Sequence, residues 1–286
     1  MSKRFEGLDD VQWSLLEPSL PTWYKAGKRG PGRPPTYFRN ILNTILWILN
    51  GGAKWKDVPT GPQWAPRSTS HRWLGRWTVD GTWRRMAGQI LGTAYNLGLI
   101  DLERGSVDGM FVSGKGGGDD VDYGFKGKGS TIHHLCDNNG RSLAIKTTPA
   151  NTDERKLVME LLDAFVIHTG KVGRPPKKVK ALQGDKGYQD KNLHRKLKRR
   201  GIAPKISHKQ QKGKKRGRPC SKPIDRFKIE RCHAWLQKRF RRICTKWERR
   251  RIYWNGLVQF ALVLSWVPII LQTLTGGYLQ KLLIMG

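Results

Sequence analysis

A chain of 286 residues with 54 Lys+Arg against 22 Asp+Glu carries a formal charge of +32, a surplus that repels itself in a compact state unless a polyanion accompanies it, and nucleic acid is the commonest such partner. Hydrophobic residues at 37% and charged residues at 27% exclude a chain too polar to fold, and the length suffices for one sizeable core with a smaller unit attached. Four dispersed cysteines, Cys136, Cys220, Cys232 and Cys244, form no CxxC pair, which argues against a zinc ribbon and for reduced thiols in a cytoplasmic protein.

The first hundred residues read as a small helical domain, residues 1–100, preceded by no secretory apolar run in MSKRFEGLDD. Asp9 or Asp10 caps a first helix ahead of Val11, Leu15 and Leu16. After Pro34-Pro35, Thr36 caps a helix with Phe38, Ile41, Leu42, Ile45, Leu46 and Leu49 on one face, and Gly51-Gly52 stops it. Two further helices run from about Ser68 to Thr78 and from about Thr82 to Leu97, with Gly81 between them. Eight of the twelve tryptophans fall in this region, and most should be core. Arg72 and Arg76, beside those indoles, then form a helix-turn-helix surface entering a DNA groove.

From Gly105 the pattern turns to strands. Ser106 to Val112 is one, and Ser130 to Cys136 with Ser142 to Thr147 forms a hairpin around Asp137-Asn138-Asn139-Gly140. A helix from about Thr152 to Val166, a strand from Val179 to Gln183, a basic helix from Lys191 to Arg200 and a strand from Ile202 to Ile206 follow. Beyond a basic loop at 207–222, one long helix is expected from about Asp225 to Arg250, with Ile229, Cys232, Leu236, Phe240, Ile243 and Trp247 as its apolar stripe. Ile252 to Leu271 is apolar enough for a membrane span, but Asn255, Gln259 and Pro268 favour a buried C-terminal helix and no membrane. The order implies an α/β class with helices packed on a mixed sheet over residues 101–286.

Three acids stand where carboxylates are costly or exposed to a shared surface. Asp108 lies within an apolar strand, Asp185 just past another, and Glu230 one residue from the stripe of the long helix. Hard divalent cations such as Mg2+, with Mn2+ as a substitute, take oxygen ligands, and a few carboxylates plus substrate phosphate complete a site. Two such ions serve phosphoryl transfer. The same residues also read as a strand-end turn former and as the Arg226–Glu230 pair of a helix surface.

The blocks LDDVQWSLLEPSLP, GRPPTYFRNILNTILWILNGGAKWKDVP, SVDGMFV, GKGSTIHHLCDNNGRSLAIKTTPANTDE, GDKGYQD and IERCHAWLQKRFRRICTKWE span nearly the whole chain. In this order they resemble the DDE transposases of bacterial insertion sequences, the group related to insertion sequence five and, more distantly, insertion sequence four. The resemblance implies an RNase H-like core, with Asp108, Asp185 and Glu230 as the metal-holding catalytic residues. It implies terminal inverted repeats and target DNA as double-stranded partners, and assembly of a homodimer or more on paired ends. Of the related Tyr-Arg-Glu-Lys signature, Arg226 keeps its spacing, Lys238 stands one position late behind Gln237, and Pro223 replaces the Tyr.

Gly-Arg-Pro occurs at 32–34, 173–175 and 217–219, and the last copy, with Arg216 and Arg218, resembles an AT-hook core suited to a narrow minor groove. The helix at 191–200 and the run Arg239, Arg241, Arg242, Lys246, Arg249, Arg250 and Arg251 are expected to contact phosphates. The reading is therefore a transposase that cuts at its element's ends and joins the freed 3′-hydroxyl to target DNA. The alternatives are an RNase H-like nuclease that does not join, and a non-catalytic DNA-binding regulator.

Overall fold

The computed structural model describes residues 7–21, 36–173, 178–206 and 226–284. Helix α1 (Asp10–Leu16) opens with a reciprocal cap: the Asp9 carboxylate accepts the Gln12 amide at 2.7 Å, and the Gln12 side chain accepts the Asp9 amide at 3.3 Å. Helix α2 (Phe38–Gly51) begins without a side-chain cap, its N-cap being Tyr37 rather than the expected Thr36. Gly52 ends it at φ 66°, a left-handed turn that costs a glycine little. Helices α3 (Arg67–Val79) and α4 (Thr82–Asn96) meet at Gly81, φ 76°, where Asp80 also accepts the Thr82 amide at 2.9 Å.

The sheet is mixed. Strand β1 (Arg104–Ser113) pairs antiparallel with β3 (Gly127–Cys136), which in turn pairs with β4 (Ser142–Pro149) across the expected Asn-Gly turn. A short strand β2 (Asp122–Gly124), not foreseen from the sequence, shares that same edge of β3. Helix α5 (Glu154–Ala164), capped by Asp153, leads to β5 (Ala181–Gly184), parallel to β1. Helix α6 (Lys191–Arg199), capped by Asp190, leads to β6 (Ala203–Ile206), parallel to β5. Three antiparallel strands extended by two parallel ones through helical crossovers form the RNase H-like order, so the expected α/β class holds.

The expected long helix at 225–250 is two structures. Helix α7 (Arg226–Arg239) stops at Arg239, and Arg241–Ile243 forms a 3-10 turn. Ile229, Cys232, Leu236, Phe240 and Ile243 are buried as expected, but Trp247 is 49% exposed. The stretch after Arg239 leaves helical geometry because it is held by other partners. Arg242 is buried against Glu248 (Nε to Oε1, 2.9 Å) and the Ala53 carbonyl (3.0 Å). Lys246 is fully buried, donating to the Asp119 carbonyl at 2.5 Å, and its amide bonds Ser113 O at 2.9 Å. Arg242 and Lys246 therefore do not serve as phosphate contacts.

Helix α8 (Arg251–Ile284) is the buried helix expected of Ile252 to Leu271. Although long and apolar enough by composition to cross a membrane, it packs against α3, α4 and β4, and Trp254, Leu257, Phe260, Val263 and Trp266 are fully or nearly fully enclosed. The Trp266 indole donates to Ser142 O at 2.6 Å, satisfying the one polar atom that its burial would otherwise strand. A single buried cluster thus runs from Leu8 through the sheet to Ile270.

Candidate active site

Parallel pairing sets Ser106 beside Gln183 and Val107 beside Gly184, so the next residues along both strands are Asp108 and Asp185. Both line one small cavity with Ser106, Gln183 and Ile229. Its floor is fixed by the buried Gln183 amide, which donates to Ser106 Oγ at 2.6 Å. Asp108 Oδ1 accepts its neighbour's amide, Gly109 N, at 2.9 Å, and Asp185 Oδ1 accepts Lys186 N at 2.5 Å, capping the turn Lys186–Tyr188.

Helix α7 contributes Ile229 to the lining of the cavity, and the next residue, Glu230, is exposed and is not among the lining residues. Helical spacing aligns Glu230, His233 and Gln237 along one shoulder of α7. Lys238 lies about 100° further round, on the outer face. His233 Nδ1 stands 4.0 Å from Asp108 Oδ2. Its ring stacks on His134, the register partner of Asp108 on β3, with centroids 4.7 Å apart. Burial, aided by the Lys126 charge, lowers the His233 pKa to about 4, and burial holds His134 well below the ordinary range. These imidazoles are neutral at pH 7.

Among the described residues, no three Asp, Glu, His or Cys side chains gather closely enough to enclose a metal ion. The structure brings Asp108 and Asp185 to one cavity, whose lining does not include Glu230. That donor set still suits Mg2+, which keeps several waters and binds through one or two carboxylates together with substrate phosphate.

A second acid underlies the other face of β1. A Cβ on Gly109 would fall 2.6 Å from Glu154 Oε1, and Tyr188, only 3% exposed, donates its hydroxyl to Glu154 Oε2 at 2.7 Å. Burial and the Glu154 carboxylate push the Tyr188 pKa well above its usual value. The glycine of Val107-Asp108-Gly109 and the tyrosine of Gly184-Asp185-Lys186-Gly187-Tyr188 therefore meet at one half-buried carboxylate. Sequence reasoning missed Glu154, His134 and His233. The signal for Glu154 lay in its place after the Asp153 cap, but nothing in spacing joins it to Gly109.

Of the basic residues singled out from sequence, Arg72 and Arg76 are exposed on α3 and line a groove with Trp73, Ile252 and Tyr253. The Arg76 guanidinium lies 5.1 Å from the Trp73 ring centroid. Lys238 is exposed on α7 and Arg226 is its first residue, while Arg216 and Arg218 lie outside the described residues. Cys136, Cys232 and Cys244 are free thiols, and Cys220 also lies outside the described residues.

Residues 8–87 match the family described as "Putative transposase of IS4/5 family", and residues 101–265, more than half of the chain, match "Transposase DDE domain". The "Insertion element IS402 uncharacterized 16.2 kDa protein" of Burkholderia cepacia is 32% identical over 111 residues, covering 39% of this chain and 76% of its own length. The "Putative transposase for insertion sequence element IS402" of the same organism is 34% identical over 123 residues, 43% of this chain and 55% of its own, so the match spans about half of that relative. A piggyBac transposase synaptic complex with hairpin DNA aligns over 96% of this chain and 74% of that one, at 10% identity and a TM-score of 0.42. The chain belongs to the DDE transposase domain family of bacterial insertion sequences.

Proposed function

We propose that the protein cuts DNA at the terminal inverted repeats of its element and joins the 3′-hydroxyl to target DNA, with Asp108, Asp185 and Glu230 as its catalytic, metal-holding residues. The observation that carries this reading is the adjacency of Asp108 and Asp185 on parallel strands, lining one cavity under the helix that bears Glu230. Divalent ions, Mg2+ or Mn2+ in its place, supply activation of the attacking oxygen and stabilisation of the leaving one when bound. Asp108 and Asp185 would hold them from the strand ends. Glu230 would complete the set from α7.

Residues 1–100 would act as a helix-turn-helix-like DNA-binding unit through Arg72 and Arg76, and residues 101–286 as the catalytic one. The large positive charge suits double-stranded repeat and target DNA. Arg226 and Lys238 would grip phosphates beside the cut, Arg216 and Arg218 would add backbone or minor-groove contact, and two copies or more would hold paired ends in the cytoplasm, on the nucleoid. The test is Asp108→Ala and Asp185→Ala, each assayed for end cleavage and strand joining in Mg2+. Loss of both products by about 100-fold or more is expected, while undiminished cleavage by either variant removes the proposed site.

A further inference from the structure

The outer face of α7 carries an alternation that its packing does not require. Phe227, Arg231, Trp235 and Lys238 follow one another at spacings of four, four and three, so they form one stripe along the helix. Phe227 is 57% and Trp235 40% exposed, and Arg231 and Lys238 are exposed between and beyond them. The Arg231 guanidinium sits 5.7 Å from the Phe227 ring centroid, and the Trp235 ring is propped edge-on against Phe240, 6.0 Å between centroids. The opposite face of the same helix is the one buried against the core, through Ile229, Cys232, His233 and Leu236. Glu230 lies on the shoulder between the two faces.

A solvated helix face is ordinarily polar throughout. Two large aromatic rings left in water at the same spacing as two cations match what an unpaired nucleic-acid strand needs, ring faces for its bases and positive charge for its phosphates. A closed duplex offers its phosphates to such a helix but hides its base faces, so it would engage the cations and leave the rings unused. The formal charge of +32 supplies the attraction for the strand.

We propose that the Phe227–Arg231–Trp235–Lys238 face of α7 is a stacking track for unpaired nucleotides of a DNA strand running past the helix shoulder that bears Glu230. The placement beside a cut rests on the transposase reading above, but the track itself is a binding property.

The experiment therefore measures binding in EDTA, so that chemistry contributes nothing. The full-length protein is titrated against a blunt duplex and against the same duplex bearing a short single-stranded extension that contains 2-aminopurine. The wild-type chain should prefer the extended DNA and change the 2-aminopurine emission. Trp235→Ala should lose between about 5-fold and about 150-fold of affinity for the extended DNA, the range for one stacked base, while blunt-duplex binding stays within twofold. Trp235→Phe should restore most of the preference, which guards against a variant that merely folds poorly. Equal weakening toward both DNAs, or none toward either, overturns the proposal. So does a shift in oligomeric state on Trp235→Ala with DNA preference unchanged, which would assign the face to a second copy of the chain. Asp108→Ala separates the two claims: it should leave the preference intact, and a wild-type chain that shows the preference but never cleaves would sink the catalytic reading alone.

Discussion

His233 Nδ1 lies 4.0 Å from Asp108 Oδ2, and its ring is backed by His134 with centroids 4.7 Å apart. A strand acid is thus walled by an imidazole that belongs to the helix carrying Glu230, and shortening that side chain should free the carboxylate to swing. His233→Ala is expected to weaken Mn2+ binding by about 10-fold, the lower end for groups that orient a metal-binding side chain, with His233→Gln closer to the parent. Isothermal titration with Mn2+ reads this directly. Equal affinity in all three proteins would show that the ring only fills space.

Gly109→Ala should be destabilising although the residue sits in an ordinary strand. The added methyl would meet Glu154 Oε1 at 2.6 Å, Glu154 Cδ at 2.9 Å and Thr131 Cγ2 at 3.0 Å, and Glu154 cannot turn aside without giving up the Tyr188 hydroxyl. Overpacking of this kind costs about 1 to 3 kcal/mol. Urea unfolding measures the loss, and Tyr188→Phe in the same background should reduce the penalty because it releases the carboxylate.

Acid should unfold the protein partly through its strand histidines. His133 Nε2 lies 2.8 Å from Thr148 Oγ1, and burial together with the Lys146 charge lowers its pKa from 6.5 to about 4. The folded state binds the proton more weakly than the unfolded one, so this contribution is complete above pH 6.5 and is lost as pH falls from 6.5 toward 4. By pH 4 the loss from one such group is roughly 3 kcal/mol. Replacing His133 with Gln should flatten that part of the profile in urea titrations at pH 7, 5 and 4. An unchanged slope would mean that the imidazole is hydrated.

Arg72→Ala and Arg76→Ala should each weaken duplex binding without changing sequence preference if both arginines meet phosphates. Each lost contact should reduce the slope of log affinity against log salt by about 1. Fluorescence anisotropy between 50 and 200 mM salt, on the order of the range where such contacts are read, gives the slope. A change confined to one base position would instead identify a base-reading arginine.

The parts of this fold that were legible beforehand have local causes. The Asp9 cap, the Gly81 turn and the Asn-Gly hairpin at 137–140 are written in neighbouring residues, and the helices and strands they bound appear within about three residues of expectation. The strand acids were legible too, because a carboxylate in apolar company is conspicuous. What escaped was decided by distant partners. The break after Arg239 comes from Glu248, Ala53 and Asp119 reaching Arg242 and Lys246, and a 3.6-residue periodicity that continues through Phe240 and Ile243 cannot register it. Glu154 and His233 join the strand residues only through the sheet's crossovers, and the sequence distances of 45 residues from Gly109 to Glu154 and 125 from Asp108 to His233 hide both.

The position of α8 has a consequence for how the chain is made. Trp83 of α4 stacks near Phe260 with centroids 4.8 Å apart, and a Cβ on Gly256 would strike Thr78 and Leu74 of α3, so the earliest helices are seated against a late one. While the ribosome is still holding residues beyond 250, those helices have their tryptophans but not the surface that shields them. The nascent protein must pass through an interval in which indoles that α8 will cover are still exposed.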